Sequence, residues 1–400
     1  MNKAEKFGKL NEIFTPGQPV NVKDLFYGRQ EQLTKIARTT AEGGSHAVLY
    51  GDRGVGKTSL ANVMKILIDG NAISSLPNVK MCHKVGCDPS DNFGDIWRKI
   101  FRKISINLSK PNLGFVKTSE LQTVTLDSYV NQTEDLKPSD VIEILRSFPN
   151  CLLIFDEFEN AKREVREKFS YTIKALSDEY PNITLLLVGI AENIHGLIHD
   201  HRSLERCLKQ IQLPHMSDDE LGTIIDKGIE AVELTMDSST RNTLVRFSQG
   251  FPYYVHLLGK SVAEIAIISD IQNINEDHLR IAIDDAIDNA HETTRMCYQS
   301  AISVNRNSPV TFEDIISACA LASENQPDGF KICDLRVPLQ QVTGRKSKEQ
   351  NYRYHLDELC KSNRGNILKK TGTSNKYRYN FTSPLVKAFV YLKMYQARKI

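Results

Sequence analysis

The chain has 400 residues, 40% of them hydrophobic and 25% charged, with a formal net charge of +2. Its length exceeds one ordinary core and predicts two or three domains, and its composition is that of a soluble globular protein. No apolar run approaches the roughly 18 residues needed to cross a bilayer, and Met1-Asn-Lys-Ala-Glu-Lys-Phe7 lacks the apolar stretch of a secretory signal, so the expectation is a cytoplasmic protein with no membrane partner.

Eight cysteines are scattered along the chain. Cys82-His83-x3-Cys87 is the one cluster, and it lacks the second ligand pair of a zinc site. The pattern is that of reduced thiols in a cytosolic protein. The small net charge conceals an uneven distribution. From Thr343 to Ile400 there are 14 Lys and Arg against 3 Asp and Glu, an excess of +11 that leaves −9 on the rest. Blocks of opposite sign suggest separate work for the two parts, and a basic terminal block points to nucleic acid or another polyanion.

In chain order, His46-Ala-Val-Leu-Tyr50 is a short apolar run stopped by Gly51, as a buried parallel strand would be. Helical periodicity follows from Ser59 to Ile68. A second strand is expected at Val79–Cys82 and a helix at Phe93–Ile104. From about Ser105 to Pro138, Ser, Thr, Asn and Gln occur without clear periodicity, which reads as an insertion or connection. A helix at Asp140–Phe148, a strand at Cys151–Phe155, a helix at Arg163–Glu179 and a strand at Ile183–Val188 follow. Undiluted apolar strands alternating with helices imply a parallel α/β sheet covered on both faces. After Leu213-Pro214 the pattern changes. Ser217-Asp-Asp-Glu220 forms a capping box, and helical segments run to about Ala290 without a strand. The last part has helices near Phe312–Ser323 and Lys348–Lys361, then two β-prone runs, Asn366–Lys370 and Tyr377–Phe381.

The strongest chemical signal is Gly51-Asp52-Arg53-Gly54-Val55-Gly56-Lys57-Thr58, followed by Ser59. Phosphates need many oriented N–H donors at close range, and only glycine lets the backbone approach without a Cβ. A strand precedes the loop and a helix follows it, as a phosphate loop requires. Lys57 is expected on the β- and γ-phosphates of ATP, and Thr58 on Mg2+. The partner element is Leu152-Leu-Ile-Phe155-Asp156-Glu157. An acidic pair ending a buried strand is costly unless a cation or water awaits it. Asp156 fits as the Mg2+-side carboxylate and Glu157 as the residue polarising the attacking water, against the bland reading of a strand end facing solvent.

With these motifs the chain resembles the AAA+ and STAND branch of P-loop ATPases, above all origin-recognition and initiator ATPases. Phe26-Tyr27-Gly28-Arg29-x-Glu31 is similar to the box beside the adenine, which places Gly28 and Arg29 there. Ser203-Leu-Glu-Arg206-Cys-Leu-Lys-Gln-Ile-Gln-Leu-Pro214 resembles the segment carrying an arginine finger, so Arg206, or else Arg202, would reach a neighbouring subunit's nucleotide. Gly250-Phe251-Pro252 resembles the Gly-x-Pro of STAND lids, with Pro252 against the adenine or simply opening a helix. The sequence departs from the AAA+ pattern at Val188-Gly-Ile-Ala191-Glu192-Asn193, where Asn193 is the candidate polar sensor. The lid also has its Gly-x-Pro in place of a second sensor arginine. The resemblance implies a parallel-sheet, AAA+-like P-loop core at 46–213 after an N-terminal extension at 1–45, a helical lid at 214–290 and a winged helix at 291–400. It implies a homo-oligomer and a slow ATPase switch whose hydrolysis depends on assembly.

In winged-helix proteins the third helix enters the major groove and wing cations meet phosphate. That makes Lys348, Arg353, Arg364, Lys369, Lys370, Lys376 and Arg378 the DNA-binding candidates. The rival reading, also implied by the STAND resemblance, is a signalling ATPase of a prokaryotic antiviral or conflict system. Its C-terminal part would hold an effector protein instead.

Overall fold

A computed structural model describes residues 1–19, 28–73, 79, 81–109, 121–130, 135–146, 148–189, 204–288, 292–303, 310–324, 326, 329–345, 352–372 and 376–399. Contacts divide the chain into two compact units, 18–214 and 1–17 with 215–400.

The first unit is built on a five-stranded parallel sheet in the order β2-β5-β6-β1-β7. Its strands are β1 (His46–Tyr50), β2 (Met81–Gly86), β5 (Cys151–Asp156), β6 (Ile183–Gly189) and β7 (Leu208–Gln212). Every residue of β5 and β6 is buried, the burial pattern of strands covered on both faces. Alternation sends Leu153, Phe155, Leu185 and Leu187 into one core, shared with the helices Phe93–Phe101, Pro138–Leu145 and Arg163–Glu179. The helices Gln30–Ala41 and Lys57–Asp69 also pack on the sheet. Between these elements, β3 (Ser105–Ser109) and β4 (Leu121–Thr125) pair antiparallel as a separate ribbon, where the sequence gives no clear period. Strand β2 starts two residues later than expected, and that shift matters at the site.

In the second unit the N-terminal helix Lys3–Ile13, capped by Asn2, packs on the helices Asp218–Ala231 and Pro252–Ile268. Phe14, 1% exposed, fixes the junction: its ring lies against the Gly228 and Gly259 backbones, where a Cβ would come within 2.2 and 2.7 Å of ring atoms. Ser217 caps Asp218–Ala231 through the expected box with Glu220. The helical run is not strand-free, because β8 (Thr235–Met236) and β9 (Asn273–Ile274) pair in parallel. Further on come the helices Phe312–Ala322, Arg336–Thr343 and Arg353–Leu359, then an antiparallel hairpin of β10 (Leu368–Thr371) and β11 (Arg378–Phe381). Phe330 bridges to Tyr379 at the hairpin's side. A last helix, Pro384–Gln396, is absent from the sequence reading. It opens on proline and buries Phe389, Tyr391 and Met394.

Candidate functional site

The loop from Gly51 to Gly56 joins β1 to the helix Lys57–Asp69. Gly54 and Gly56 have φ of 89° and 97°, a left-handed backbone in which a Cβ would be strained. Gly51 is needed for closeness instead: a Cβ there would stand 2.4 Å from the Leu213 carbonyl oxygen. Val55, 1% exposed, anchors the loop in the core, while Asp52, Arg53 and Gly54 face outward. The first helical turn carries half-buried Thr58 and Ser59. The first N–H groups of a helix in general lack intrahelical acceptors and favour anions.

Lys57 Nζ donates to the Gly51 carbonyl at 2.9 Å and the Asp52 carbonyl at 2.8 Å. Burial lowers its pKa, against the opposing charges of Glu159, Asp52 and Asp156. Arg29, expected beside the adenine, is 5% exposed and left-handed at φ 62°, after Gly28 at φ 77°. Its guanidinium donates to the Pro214 carbonyl at 2.7 Å and, at 3.5 Å, to the carbonyl of Val55. Arg29 thereby fastens the loop to the chain's exit from the sheet.

Asp156 ends β5 and is 5% exposed. Its Oδ1 accepts from the Glu157 N–H at 3.0 Å, and its Oδ2 lies 2.9 Å from the Lys84 ammonium. The register explains the pairing. Gly86 sits opposite Asp156 and Lys84 opposite Ile154, so the period of two places Lys84 and Asp156 on one face, a diagonal step apart. Lys84 also donates to Asn62 of the phosphate-loop helix. Lys84 lies beyond the strand that the sequence pattern predicts, Val79–Cys82, but inside the observed Met81–Gly86.

The turn after β5 carries three acidic or amide side chains with different fates. Glu157 is exposed, with a left-handed φ of 54°. Phe158 is 2% exposed and packs edge-on against Phe169 at 5.1 Å, within a cluster that includes Trp97 and Phe155. Glu159 is half-buried and Asn160 Nδ2 donates to the Cys87 carbonyl at 3.0 Å. Burial raises the Glu159 pKa, with the nearby Lys57 charge opposing it.

Arg206 lies before β7, is exposed, and pairs with exposed Asp178. Asn193 and Arg202 lie outside the described residues. Pro252 is the first residue of its helix, after Gly250 at φ 81° and a Phe251 ring 4.5 Å from that of His215. Of the DNA-binding candidates, Lys348 also lies outside the described residues, and the helix expected there is described over Arg353–Leu359. Arg353, Lys369 and Lys376 are exposed. Arg364 turns inward, donating to Ser303 Oγ at 3.1 Å and lying 4.0 Å over the Phe312 ring. Arg378 donates to the Gly329 carbonyl at 2.6 Å, and Lys370 pairs with Asp357 at 2.7 Å.

Cys82 and Cys87 are buried, and burial pushes the Cys87 thiol up to about 12. Among the described residues no group of three His, Cys, Asp or Glu is placed to hold a metal ion, and no helix is long and apolar enough to cross a membrane.

The sequence family described as Novel STAND NTPase 1 matches residues 19–265. No curated protein matches the chain. Among solved structures, the ORC2 protein of Aeropyrum pernix, solved as ADPNP-ADP complexes, is similar with a TM-score of 0.50 and 15% identity, over 96% of this chain and 98% of that one. The Walker-type ATPase PABY2304 of Pyrococcus abyssi has a TM-score of 0.50 and 16% identity, over 95% of this chain and 99% of that one. At these identities the likeness is one of fold.

Proposed function

The chain belongs to the novel STAND NTPase family, and from that premise we propose that it is a switch that binds ATP with Mg2+, hydrolyses it slowly and assembles with further copies of itself. The observation that carries this reading is one cluster in the first unit: the glycine loop, Lys57 at the start of its helix, and the buried Asp156. The loop amides and Lys57 would hold the phosphates. The donor set fits Mg2+, since the Thr58 hydroxyl and the Asp156 carboxylate are hard oxygen ligands. Asp156 already neutralises one cation, the Lys84 ammonium. When bound, Mg2+ would offset charge on the transferred phosphoryl group; the protein's own part is to orient ATP and the attacking water.

Exposed Arg206 could reach a neighbouring copy at the cost of only its surface pair with Asp178, a bond worth about 0–1 kcal/mol. The helices Phe312–Ala322, Arg336–Thr343 and Arg353–Leu359 with the following hairpin have the element order of a winged helix. We read that part as a DNA-binding module with little base specificity, meeting phosphate through Arg353, Lys369 and Lys376. A second reading has one observation in its favour. Arg364, Arg378 and Lys370 are already engaged within the fold, which leaves fewer cations for phosphate. In that reading the C-terminal part holds an effector protein, as in a STAND-type antiviral signalling ATPase.

The test is ATP turnover per subunit across a series of protein concentrations, with gel shifts on duplex and single-stranded DNA at two salt concentrations. Turnover should rise with concentration, and DNA binding should weaken as salt rises. Absence of turnover at every concentration would refute the switch. Absence of DNA binding at low salt, with and without ATP, would leave the effector reading.

A further inference from the structure

Two glutamates lie in the turn after β5, and their geometry separates them. Glu157 follows the strand directly, but its side chain is exposed and its backbone left-handed. Glu159 sits between two fixed points. On one side Phe158 is buried in the aromatic cluster around Phe169. On the other Asn160 holds the Cys87 carbonyl at 3.0 Å, and the Cys87 N–H in turn donates to the Asp156 carbonyl at 2.8 Å. The turn is therefore tied to both β2 and β5, and residue 159 has little freedom to move.

Its carboxylate is placed accordingly. Glu159 Oε2 is buried and has no hydrogen-bond partner among the described residues. Its charge is felt by Lys57, for which it is the foremost opposing charge. A buried carboxylate oxygen left unpaired is unfavourable, and a fold keeps one where it has work for it. The loop lysine marks where the terminal phosphates would lie.

We propose that Glu159, rather than Glu157, is the carboxylate that accepts the proton of the attacking water. The inference rests on the reading of the chain as an ATPase. The water oxygen bonds to the γ-phosphorus as the bond from that phosphorus to the bridging oxygen breaks. The bonding pair leaves with ADP. The water's proton passes to Glu159 and from there to the released phosphate, so the carboxylate is regenerated.

A competing role makes a different forecast. If Glu159 only balances the charge of Lys57, its loss changes ATP and ADP affinity together and leaves kcat unaltered. The experiment compares the full-length wild type with E159Q and E157Q, measuring kcat and the affinities for ATP and ADP in Mg2+. General-base loss lowers kcat by about 100-fold in E159Q. ADP affinity, which also reports folding, stays within about threefold of wild type, and E157Q keeps kcat within about threefold. Glu159→Asp, which retains a retracted carboxylate, falls between wild type and E159Q. Wild-type turnover in E159Q, an equal or larger loss in E157Q, or an equal shift of both affinities without a change in kcat would overturn the assignment. A wild type that binds no ATP would instead overturn the ATPase reading itself, and the assignment with it.

Discussion

Glu159 and Arg364 are both half-buried charges at short 3-10 turns, Phe158–Asn160 and Ser362–Arg364, yet the fold treats them in opposite ways. Arg364 is engaged by the fold: its Nη1 donates to Ser303 and, at 3.4 Å, to the Ala301 carbonyl, and the Phe312 ring lies beneath its guanidinium. Among the described residues Glu159 keeps a buried oxygen without a partner, and its charge acts on the loop lysine. A satisfied charge is spent on holding the fold, whereas an unsatisfied one beside a phosphate loop is available for a ligand. Lys84 and Asp156 lie between these cases, because they are paired with each other but Asp156 is the carboxylate proposed for Mg2+.

That intermediate pair gives the largest expected effect. Lys84→Met would leave the buried Asp156 carboxylate without its ion pair, a loss of about 3–5 kcal/mol of stability. Urea unfolding with and without Mg2+ measures it, and Mg2+ should recover part of the loss by taking the ammonium's place. A variant as stable as wild type would break the contrast at its centre. Arg364→Ala comes next, at about 1–2 kcal/mol for its hydrogen bonds and ring contact, with ATP affinity and DNA binding unchanged. If this variant keeps its stability and instead weakens DNA binding, Arg364 belongs with the ligand-facing cations. Smallest in stability is the double variant Lys369→Glu with Lys376→Glu, at under about 0.5 kcal/mol for exposed side chains. On DNA it should weaken all sequences alike and lower the salt slope by about 2, one for each lost phosphate contact. Unchanged binding would remove this hairpin from the interface.

Legibility in the sequence followed how local each requirement is. The phosphate loop was plain because strand, glycines, lysine and helix are contiguous. The long apolar strands were plain as well, since β5 and β6 are buried on both faces and are apolar except for Thr184 and the terminal Asp156. Strand β2 is an edge strand with only Cys82 and Val85 buried, so its pattern was weak and its limits slipped. With that slip went Lys84, whose meaning depends on cross-strand register with β5. Arg29 was singled out, but its partner Pro214 is 185 residues away, a distance no local pattern spans. Glu157 drew attention because it adjoins Asp156; the turn that exposes it and inserts Glu159 is fixed by Phe158, whose core neighbours come from distant helices. The final helix, Pro384–Gln396, has apolar residues on nearly all sides and therefore no clear amphipathic period.

The central claim is that the loop Gly51–Thr58 with Asp156 holds a nucleotide. Titrating the full-length wild type and Lys57→Ala with ATP in Mg2+, read by calorimetry, tests it most directly. Saturable binding at one site per chain is expected for the wild type. In Lys57→Ala the affinity should fall about 100-fold, equivalent to about 2.7 kcal/mol, while the unfolding midpoint without nucleotide stays near that of wild type. Equal ATP affinity in the two proteins, or no binding by the wild type, would contradict the account.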